Sequence, residues 1–392
     1  MTILESLREI QPEMTDWRRD IHKHPETAFE EERTSDKVAK LLESFGMEVH
    51  RGLAKTGVVG SLKAGTGNRA IGLRADMDAL DLTELNQFDH KSVHDGKMHA
   101  CGHDGHTAML LGAACHLART KDFDGTVHFI FQPAEENLAG GRVMVDEGLF
   151  ERFPVEAVYG MHNWPGMAVG TFGVCEGPMM ASADFFELVL TGRGGHGAYP
   201  HMSRDPVLAA AHVITAWQSI VSRNVDPMKA AVISATQIES GFTGNVIPET
   251  ATIRGTTRTF DMGVQDMIEE RMRKIATSVA EGFDMKASFD YQRRYCPTVN
   301  SPEETGHAIA AARAVVGDEN VNDHITPHMG AEDFGWMLKA RPGCYVFTGN
   351  GKDGLGGCEV HNPNYDFNDN ALPVGAAYWV QLVQMQLPAA GA

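Results

Sequence analysis

Five side chains of metal-binding type stand in short segments spread along the sequence. They are Cys101, His103, Glu136, His162 and His361. Thiolate, imidazole and carboxylate groups are the ligands expected for zinc, manganese, cobalt or nickel. Five ligands are more than one tetrahedral ion needs, so the set predicts two divalent ions per chain, with a thiolate or carboxylate able to bridge them. Two adjacent ions can polarise a carbonyl and lower the pKa of water towards neutrality, which is the chemistry of hydrolysis.

Hydrolysis also needs a group that takes the proton of the attacking water and passes it to the leaving atom. Glu135 precedes Glu136 directly, and neighbouring side chains of an extended segment point in opposite directions. We therefore expect one glutamate to bind metal and the other to face substrate. Adjacent glutamates alone are more often solvated surface groups, and the joint occurrence of these segments favours the functional interpretation.

Two other classes of function fit some of the same residues. Cys101 and His103 could form a thiol nucleophile and its base, although a separation of two residues in a glycine-rich turn makes their alignment awkward. A non-catalytic metal-binding or amino-acid-sensing protein would keep the ligands without needing Glu135. Two further histidines are interpreted without a ligand role: His106 at a helix terminus and His99 in a loop.

The elements that must position these residues alternate between strands and helices. Short apolar runs predict buried strands and longer periodic segments predict helices. The predicted strands are Gly57–Lys63, Ala70–Arg74, Thr126–Phe131, Ala157–Met161 and Cys344–Thr348, and the predicted helices are Ser35–Phe45, Thr107–Ala118 and Leu372–Met385. Ligands bind beyond the carboxyl ends of strands in such sheets. Residues 74–78, 132–136 and 162–163 follow three of the strands, and Gly102 and Gly105 are expected to turn the segment 99–106 sharply.

A block with a different order of elements interrupts this pattern. Between residues 184 and 293 the predicted order is β-α-β-β-α-β, the ferredoxin-like split unit. Its first helix is expected to begin with Asp205 as N-cap and Pro206 in the first position, and its second helix to end before Gly282. We therefore predict an α/β fold with a mixed-sheet catalytic domain, residues 1–181 and 294–392, and an inserted α+β domain, residues 182–293.

Composition excludes several classes of partner. The 392 residues include 34 Lys and Arg against 52 Asp and Glu, a formal net charge of -18. This charge repels phosphate backbones and anionic membrane surfaces, so neither nucleic acid nor membrane is expected as a partner. No signal-peptide core or membrane-spanning run is visible, and six scattered cysteines without a C-x-x-C pair do not suggest disulfides. We expect a cytoplasmic protein.

Eight segments carry a resemblance to a known family. They are ADMDAL, MHACGHDGHTA, FQPAEE, MHN, GRGGHGAYPH, GNVIPE, GAEDF and HNPNYDFND, in this order. Together they closely resemble the hippurate hydrolase and N-acyl-amino-acid amidohydrolase branch of the aminoacylase-type metallopeptidases, from about Arg18 to the last helix. The resemblance implies a small-molecule substrate, an N-acyl amino acid, whose amide bond is hydrolysed by two metals. Dipeptidase or carboxypeptidase activity of the same chemistry is the alternative.

The resemblance also implies roles for residues of the catalytic domain. The metal ligands would be the five candidate side chains, with Cys101 as the bridge, and Glu135 would be the general base. Many relatives outside this branch have a His-x-Asp segment in which the histidine is a ligand. Asp76 and Asp78 stand at the matching positions, so we expect Asp78 to orient a metal-bound histidine. Asp81 occupies a position where the branch usually has proline.

In the inserted domain the resemblance implies a lid that also forms a dimer contact. His196, between glycines, would reach the partner subunit's site and stabilise the oxyanion. Asn245 would contact substrate, and Arg258 is a candidate for binding the substrate carboxylate. We expect a homodimer or tetramer assembled through this domain.

Overall fold

The computed structural model describes residues 2–136 and 138–389 and separates into two compact units. One unit comprises the residues up to Met179, Val299–Thr326 and the residues from Asp333 onward. The other comprises Met180–Thr298 and Pro327–Glu332. The second unit thus begins two residues before the predicted insertion, continues to Thr298 and takes in a later segment.

Helices and strands alternate along much of the described chain. In order they are α1 (Ile3–Glu9), α2 (Gln11–Lys23), α3 (Glu32–Ser44), β1 (Glu48–Leu53), β2 (Gly57–Ala64), β3 (Ala70–Asp76), α4 (His103–Thr120), β4 (Gly125–Gln132), α5 (Gly140–Asp146), α6 (Leu149–Arg152), β5 (Ala157–Pro165), β6 (Phe172–Gly173), β7 (Gly177–Met180), β8 (Ala183–Thr191), β9 (Gly195–His196), α7 (Pro206–Arg223), β10 (Ala231–Glu239), β11 (Val246–Ile247), β12 (Thr250–Thr259), α8 (Met262–Gly282), β13 (Lys286–Tyr295), β14 (Thr298–Asn300), α9 (Pro302–Val316), β15 (Val321–Asn322), α10 (Gly335–Ala340), β16 (Gly343–Gly351) and α11 (Leu372–Gln386).

The first unit is built on a mixed sheet with the order β1-β2-β4-β3-β5-β16-β6-β15. Its centre, β4-β3-β5-β16, is parallel, whereas β1 and β2 are antiparallel additions at one edge. The central strands are buried on both faces, as expected for strands covered on both sides. Register brings Asp76 beside Gln132, so the segments that follow β3 and β4 leave the sheet side by side. The predicted α/β class is confirmed.

The second unit contains an antiparallel sheet with the order β10-β12-β8-β13. Helices α7 and α8 pack on it around Trp217, Leu188 and Ile253, which are fully buried. This order and the β-α-β-β-α-β sequence of elements are those of the predicted ferredoxin-like unit. Helix α7 begins at Pro206 with Asp205 as its N-cap, as predicted.

Several predicted boundaries are wrong. Helix α4 begins at His103 and not at Thr107, so two of the segment's histidines lie in its first turn. Helix α8 extends through Gly282, the residue predicted to end it, and β1 was not predicted. Among the described residues, no helix combines the length and apolarity needed to cross a membrane.

Candidate metal centre

The loop that carries Cys101 is fixed by close packing at two glycines. Gly102 has φ +92°, and a Cβ there would lie 2.3 Å from Asn163 Nδ2. Gly105 lies inside α4, where a Cβ would lie 2.3 Å from the Phe367 ring. The expected sharp turn therefore occurs at Gly102 alone, and Gly105 serves close approach of the Phe367 ring. Both contacts hold Cys101 and the first turn of α4 against neighbouring elements.

Three buried ligand atoms converge at the end of β5. One atom each from Cys101, His103 and His162 lies within 4.8 Å of the others. Cys101 Sγ lies 3.4 Å from His162 Nε2, and His162 Nδ1 donates to the Asn163 carbonyl at 2.6 Å. Because Nδ1 carries the donated proton, Nε2 keeps the lone pair that a metal requires.

A second group of three shares Cys101 with the first. It contains Cys101, Glu136 and His361, again within 4.8 Å of one another. The His361 backbone N–H donates to the Ala100 carbonyl at 2.7 Å, and its φ of 62° is left-handed. His361 Nε2 lies 3.0 Å from Glu136 Oε1, but the angles are not those of a hydrogen bond. Two ligand groups that meet at one thiol form the arrangement expected for a bridged pair of ions.

Asp78 connects the two groups. His103 Nδ1 donates towards the Asp78 carbonyl at 2.9 Å and Oδ1 at 3.1 Å, and Asp78 Oδ2 accepts from the Glu136 N–H at 2.9 Å. His103 Nε2 and Glu136 Oε1 are buried and have no hydrogen-bond partner among the described residues. Such atoms are rare in folded proteins without an ion or water to satisfy them. Their position fits a bound cation.

Glu135 does not point away from its neighbour. Its carboxylate, that of Glu136 and an imidazole nitrogen of His103 lie within 4.8 Å of one another. The alternation expected of an extended segment does not apply here, because β4 ends at Gln132 and Glu136 lies in a turn. Glu135 is buried, and its Oε1 accepts from the Asp333 N–H at 3.4 Å.

His106 lies beside the cluster, but both of its nitrogens are used internally. Nδ1 donates to Asp76 Oδ1 at 2.6 Å, and Nε2 accepts from the Asn163 N–H at 2.9 Å. Asp76 also accepts from Arg74 at 2.7 Å. Asp76, His103 and His106 could themselves form a metal group by distance alone. The paired nitrogens instead give His106 a structural task, which agrees with its placement at the start of α4.

Asn163 lies in one of the candidate segments, but the sequence assigned it no role. Its Nδ2 donates to the Cys101 carbonyl at 2.7 Å, and its Oδ1 accepts from the Tyr365 hydroxyl at 2.7 Å. Its backbone carbonyl fixes the tautomer of His162. The only sequence signal was its position directly after a candidate ligand at a strand end.

The charges around the cluster favour a cation. Burial, together with the negative charge of Glu136, raises the pKa of Cys101. Close approach to Cys101 and Glu136 raises the pKa of His361 to about 10. Burial, and then the neighbouring His106, hold the pKa of His162 well below its usual value. The low pKa of His162 keeps this ring neutral and suited to metal binding, because ligands bind in their deprotonated forms. The raised pKa values of Cys101 and His361 show that the cluster favours positive charge.

In the second unit, His196 and Asn245 are neighbours. His196 lies exposed in β9 opposite Val246 of β11, and the Asn245 carbonyl accepts from the Gly197 N–H at 2.8 Å. Strand β12 begins at Thr250, shortly after Asn245, and Arg258 lies near its other end. The eight residues from Thr250 to Arg258 span about 26 Å along an extended strand. It donates to the Thr257 carbonyl at 2.9 Å, and its guanidinium lies 6.0 Å from the centre of the Phe185 ring. Arg258 is thus separate from the other two.

Comparison with known proteins agrees with this geometry. The family described as peptidase family M20/M25/M40 matches residues 72–385. The chain belongs to this family. Hippurate hydrolase of Campylobacter jejuni is 40% identical over 97% of this chain and 98% of that protein. N-acetylcysteine deacetylase of Bacillus subtilis is 40% identical over 94% of this chain and 96% of that protein.

A solved member of the M20 family supports the same fold. A dinuclear metal-binding peptidase from Bacillus subtilis has a TM-score of 0.84 and 35% identity, covering 97% of this chain and 99% of that one. Hippurate and N-acetylcysteine, which name the two relatives, are both N-acyl amino acids. The prediction of a metal-dependent amidohydrolase of this type is therefore confirmed for this M20 protein at the level of reaction class.

Proposed function

We propose that this M20 enzyme binds two divalent ions through Cys101, His103, Glu136, His162 and His361 and hydrolyses the amide bond of N-acetyl, N-benzoyl or similar N-acyl amino acids. The products are a carboxylic acid and a free amino acid. The observation that carries the proposal is the pair of ligand groups that share Cys101. The mixture of sulfur, nitrogen and oxygen donors suits zinc, manganese, cobalt or nickel.

The site residues divide the work around these ions. When bound, the ions supply positive charge that acidifies water and polarises the acyl carbonyl. Glu135 takes the proton of the attacking water and delivers it to the leaving nitrogen, a task supported by its buried position beside both ligand groups. Asp78 holds the His103 ring and the Glu136 backbone, so that both ligands keep their orientation.

The second unit is proposed to complete the site as a lid and dimer contact. His196, which is exposed on a glycine-flanked turn, would stabilise the oxyanion in the partner subunit's site. Asn245, its neighbour, would contact substrate. Arg258 is the weakest of the three proposals, because its guanidinium already binds the Thr257 carbonyl and packs near Phe185. We propose a homodimer, or a tetramer built from such dimers.

Peptide hydrolysis is the second candidate activity, favoured by the description of the Bacillus subtilis structure as a peptidase. A panel of benzoyl-glycine, N-acetyl amino acids and dipeptides separates the two. We expect the N-acyl amino acids to give the higher kcat/KM. Preference for dipeptides would overturn the proposed substrate class and leave the metal chemistry intact.

The metal roles are tested by elemental analysis of protein purified without chelator. We expect about two ions per chain, because five ligands exceed the need of one tetrahedral ion. Glu135→Gln should keep both ions and lose about 100-fold or more in kcat, since only proton transfer is removed. Glu136→Gln should lose metal. Equal loss of metal in both variants would refute this division of labour, and half an ion or less with full activity would refute the dinuclear site.

The dimer is tested by mixing two inactive variants, His196→Ala and Glu135→Gln. If His196 acts in the partner's site, one site of a mixed dimer collects both lesions and the other collects neither. Random exchange of subunits makes about half of the dimers mixed, so roughly a quarter of wild-type activity should return. No recovery after demonstrated exchange would show that each chain builds its own site.

A further inference from the structure

One buried carboxylate outside the metal centre joins three segments of the first unit. Glu31 has no exposed surface. Its Oε1 accepts from the Phe29 N–H at 3.1 Å and from the Ala134 N–H at 2.9 Å, and its Oε2 accepts from the Thr56 hydroxyl at 2.6 Å. The three donors belong to the segment before α3, the segment before Glu135 and the β1–β2 turn.

The segments that meet at Glu31 have unfavourable backbone conformations. Phe29 has φ 62° and Ala134 has φ 54°, and Lys55, which precedes Thr56, has φ 67°. Residues with a Cβ adopt this left-handed region only when their surroundings hold them there. Two of the N–H groups that Glu31 binds belong to these residues. The carboxylate therefore helps to fix conformations that the chain would otherwise leave.

The position of Ala134 connects this carboxylate with the metal centre. Ala134 immediately precedes Glu135, so the N–H that Glu31 binds belongs to the backbone from which the Glu135 side chain projects. The backbone is held on both sides of Glu135, by Glu31 at Ala134 and by Asp78 at Glu136. Asp78 also contacts His103, whereas the hydrogen bonds of Glu31 reach none of the five candidate ligands.

We propose that Glu31 is a positioning residue that directs the Glu135 carboxylate for proton transfer without taking part in metal binding. The inference rests on the proposed function of Glu135 as the base. Burial, and then the charge of Asp78, raise the pKa of Glu31 to about 7. Burying a carboxylate is costly unless it is hydrogen-bonded, and the three hydrogen bonds of Glu31 meet this requirement.

The test compares kcat, KM, metal content and thermal stability of three variants. Glu31→Met keeps side-chain volume but accepts no hydrogen bond, and we expect kcat to fall about 100-fold with KM and metal content unchanged. Glu31→Gln should keep most of the activity, because its amide oxygen accepts from Phe29 and Ala134 while its NH2 faces the Thr56 oxygen. Glu32→Met changes an exposed neighbour and serves as the matched control, with wild-type kcat.

A further variant removes the donor of the hydrogen bond between Ala134 and Glu31 instead of its acceptor. Ala134→Pro removes the N–H that Glu31 binds and excludes a positive φ, yet leaves Glu31 bound to Phe29 and Thr56. We expect the same loss of kcat with metal retained, which keeps the test valid if Glu31→Met does not fold. Wild-type kcat in a folded, metal-loaded Glu31→Met or Ala134→Pro variant would overturn the proposal, as would loss of metal in parallel with activity.

The combination with Glu135→Gln distinguishes this inference from the proposed function. If Glu31 acts through Glu135, Glu31→Met should reduce kcat little further in the Glu135→Gln background. A full additional loss would show that Glu31 acts elsewhere. Wild-type activity of Glu135→Gln alone would instead refute the general base itself.

Discussion

A buried ion pair behind the metal centre makes stability depend on pH in a defined direction. His22 has no exposed surface, and its Nδ1 donates to Asp104 Oδ2 at 2.9 Å, while its Nε2 lies 3.3 Å from Glu84. Asp104 is the neighbour of His103 in the first turn of α4. The perturbation we consider is His22→Gln, which keeps neutral hydrogen-bonding capacity but cannot carry charge.

The magnitude follows from the pKa of His22. Burial alone would lower this pKa, but the charge of Asp104 and the hydrogen bonds to Asp104 and Glu84 together outweigh burial and raise it from 6.5 to about 9. Because the folded value exceeds the unfolded one, the stabilisation is fully present below pH 6.5 and is lost as the pH rises through 9. Its full size is about 3 kcal/mol, and about 2 kcal/mol of it disappears between roughly pH 6 and 8.5.

The assay is thermal unfolding of metal-saturated wild type and His22→Gln at about pH 6 and 8.5. The wild-type advantage in Tm should shrink by about 4 °C at the higher pH. His128→Gln is the control with the opposite sign. Burial lowers the pKa of His128 to about 4. The wild type should therefore lose stability relative to His128→Gln as the pH falls below 6.5. An advantage of His22 that is constant, or that grows with pH, would refute the ion-pair argument.

Three further predictions concern the cluster itself. Cys101→Ser should lower metal affinity and shift preference away from zinc, since a hydroxyl is a harder ligand than a thiolate. Titrations with several divalent metals measure both, and unchanged affinity and selectivity would contradict this prediction. Gly105→Ala should destabilise the protein by about 1–3 kcal/mol despite better helix propensity, because its Cβ would lie 2.3 Å from the Phe367 ring; an unchanged Tm would show that Phe367 can move. Tyr365→Phe removes the donor to Asn163 Oδ1 at 2.7 Å and should cost about 1–3 kcal/mol in chemical denaturation, with metal content retained; loss of metal would show that Asn163 orientation controls the ligands more tightly than we expect.

Local patterns in the sequence were sufficient to predict the central strands of the first unit and the order of the main elements in the second. The central strands of the first unit are short apolar runs bounded by Gly, Pro, Asp or Asn, and these boundaries lie close to the observed ones. In the second unit, Asp205 and Pro206 indicate the start of α7, and the order of elements leads to the ferredoxin-like sheet. The start of α4 was missed because Gly105 suggests a turn, and because a helix buried on all sides shows no polar face.

Contacts across the fold account for what the sequence did not indicate. Ala134 carries no sign of a left-handed φ, since glycine or asparagine would be the usual signal. Glu31 stands between Glu30 and Glu32, which are both exposed, and only the packed structure shows which of the three is buried. The adjacent glutamates were expected to diverge because alternation is the correct expectation for an extended segment, and the sequence did not show that the chain leaves the strand at Gln132 and turns at Glu136.

The carboxylates around the five candidate ligands are balanced in two different ways. Asp76 is neutralised within the protein by Arg74 and also accepts a hydrogen bond from His106. Around Cys101, by contrast, the nearby carboxylates include Glu135 and Glu136, and buried charges of one sign destabilise a fold unless they are paired. Glu31 binds the Ala134 N–H before this pair and Asp78 binds the Glu136 N–H within it, so both carboxylates restrain the backbone that carries the two glutamates. A site that gathers these carboxylates, and in which His103 Nε2 makes no hydrogen bond to the described residues, is suited to divalent cations.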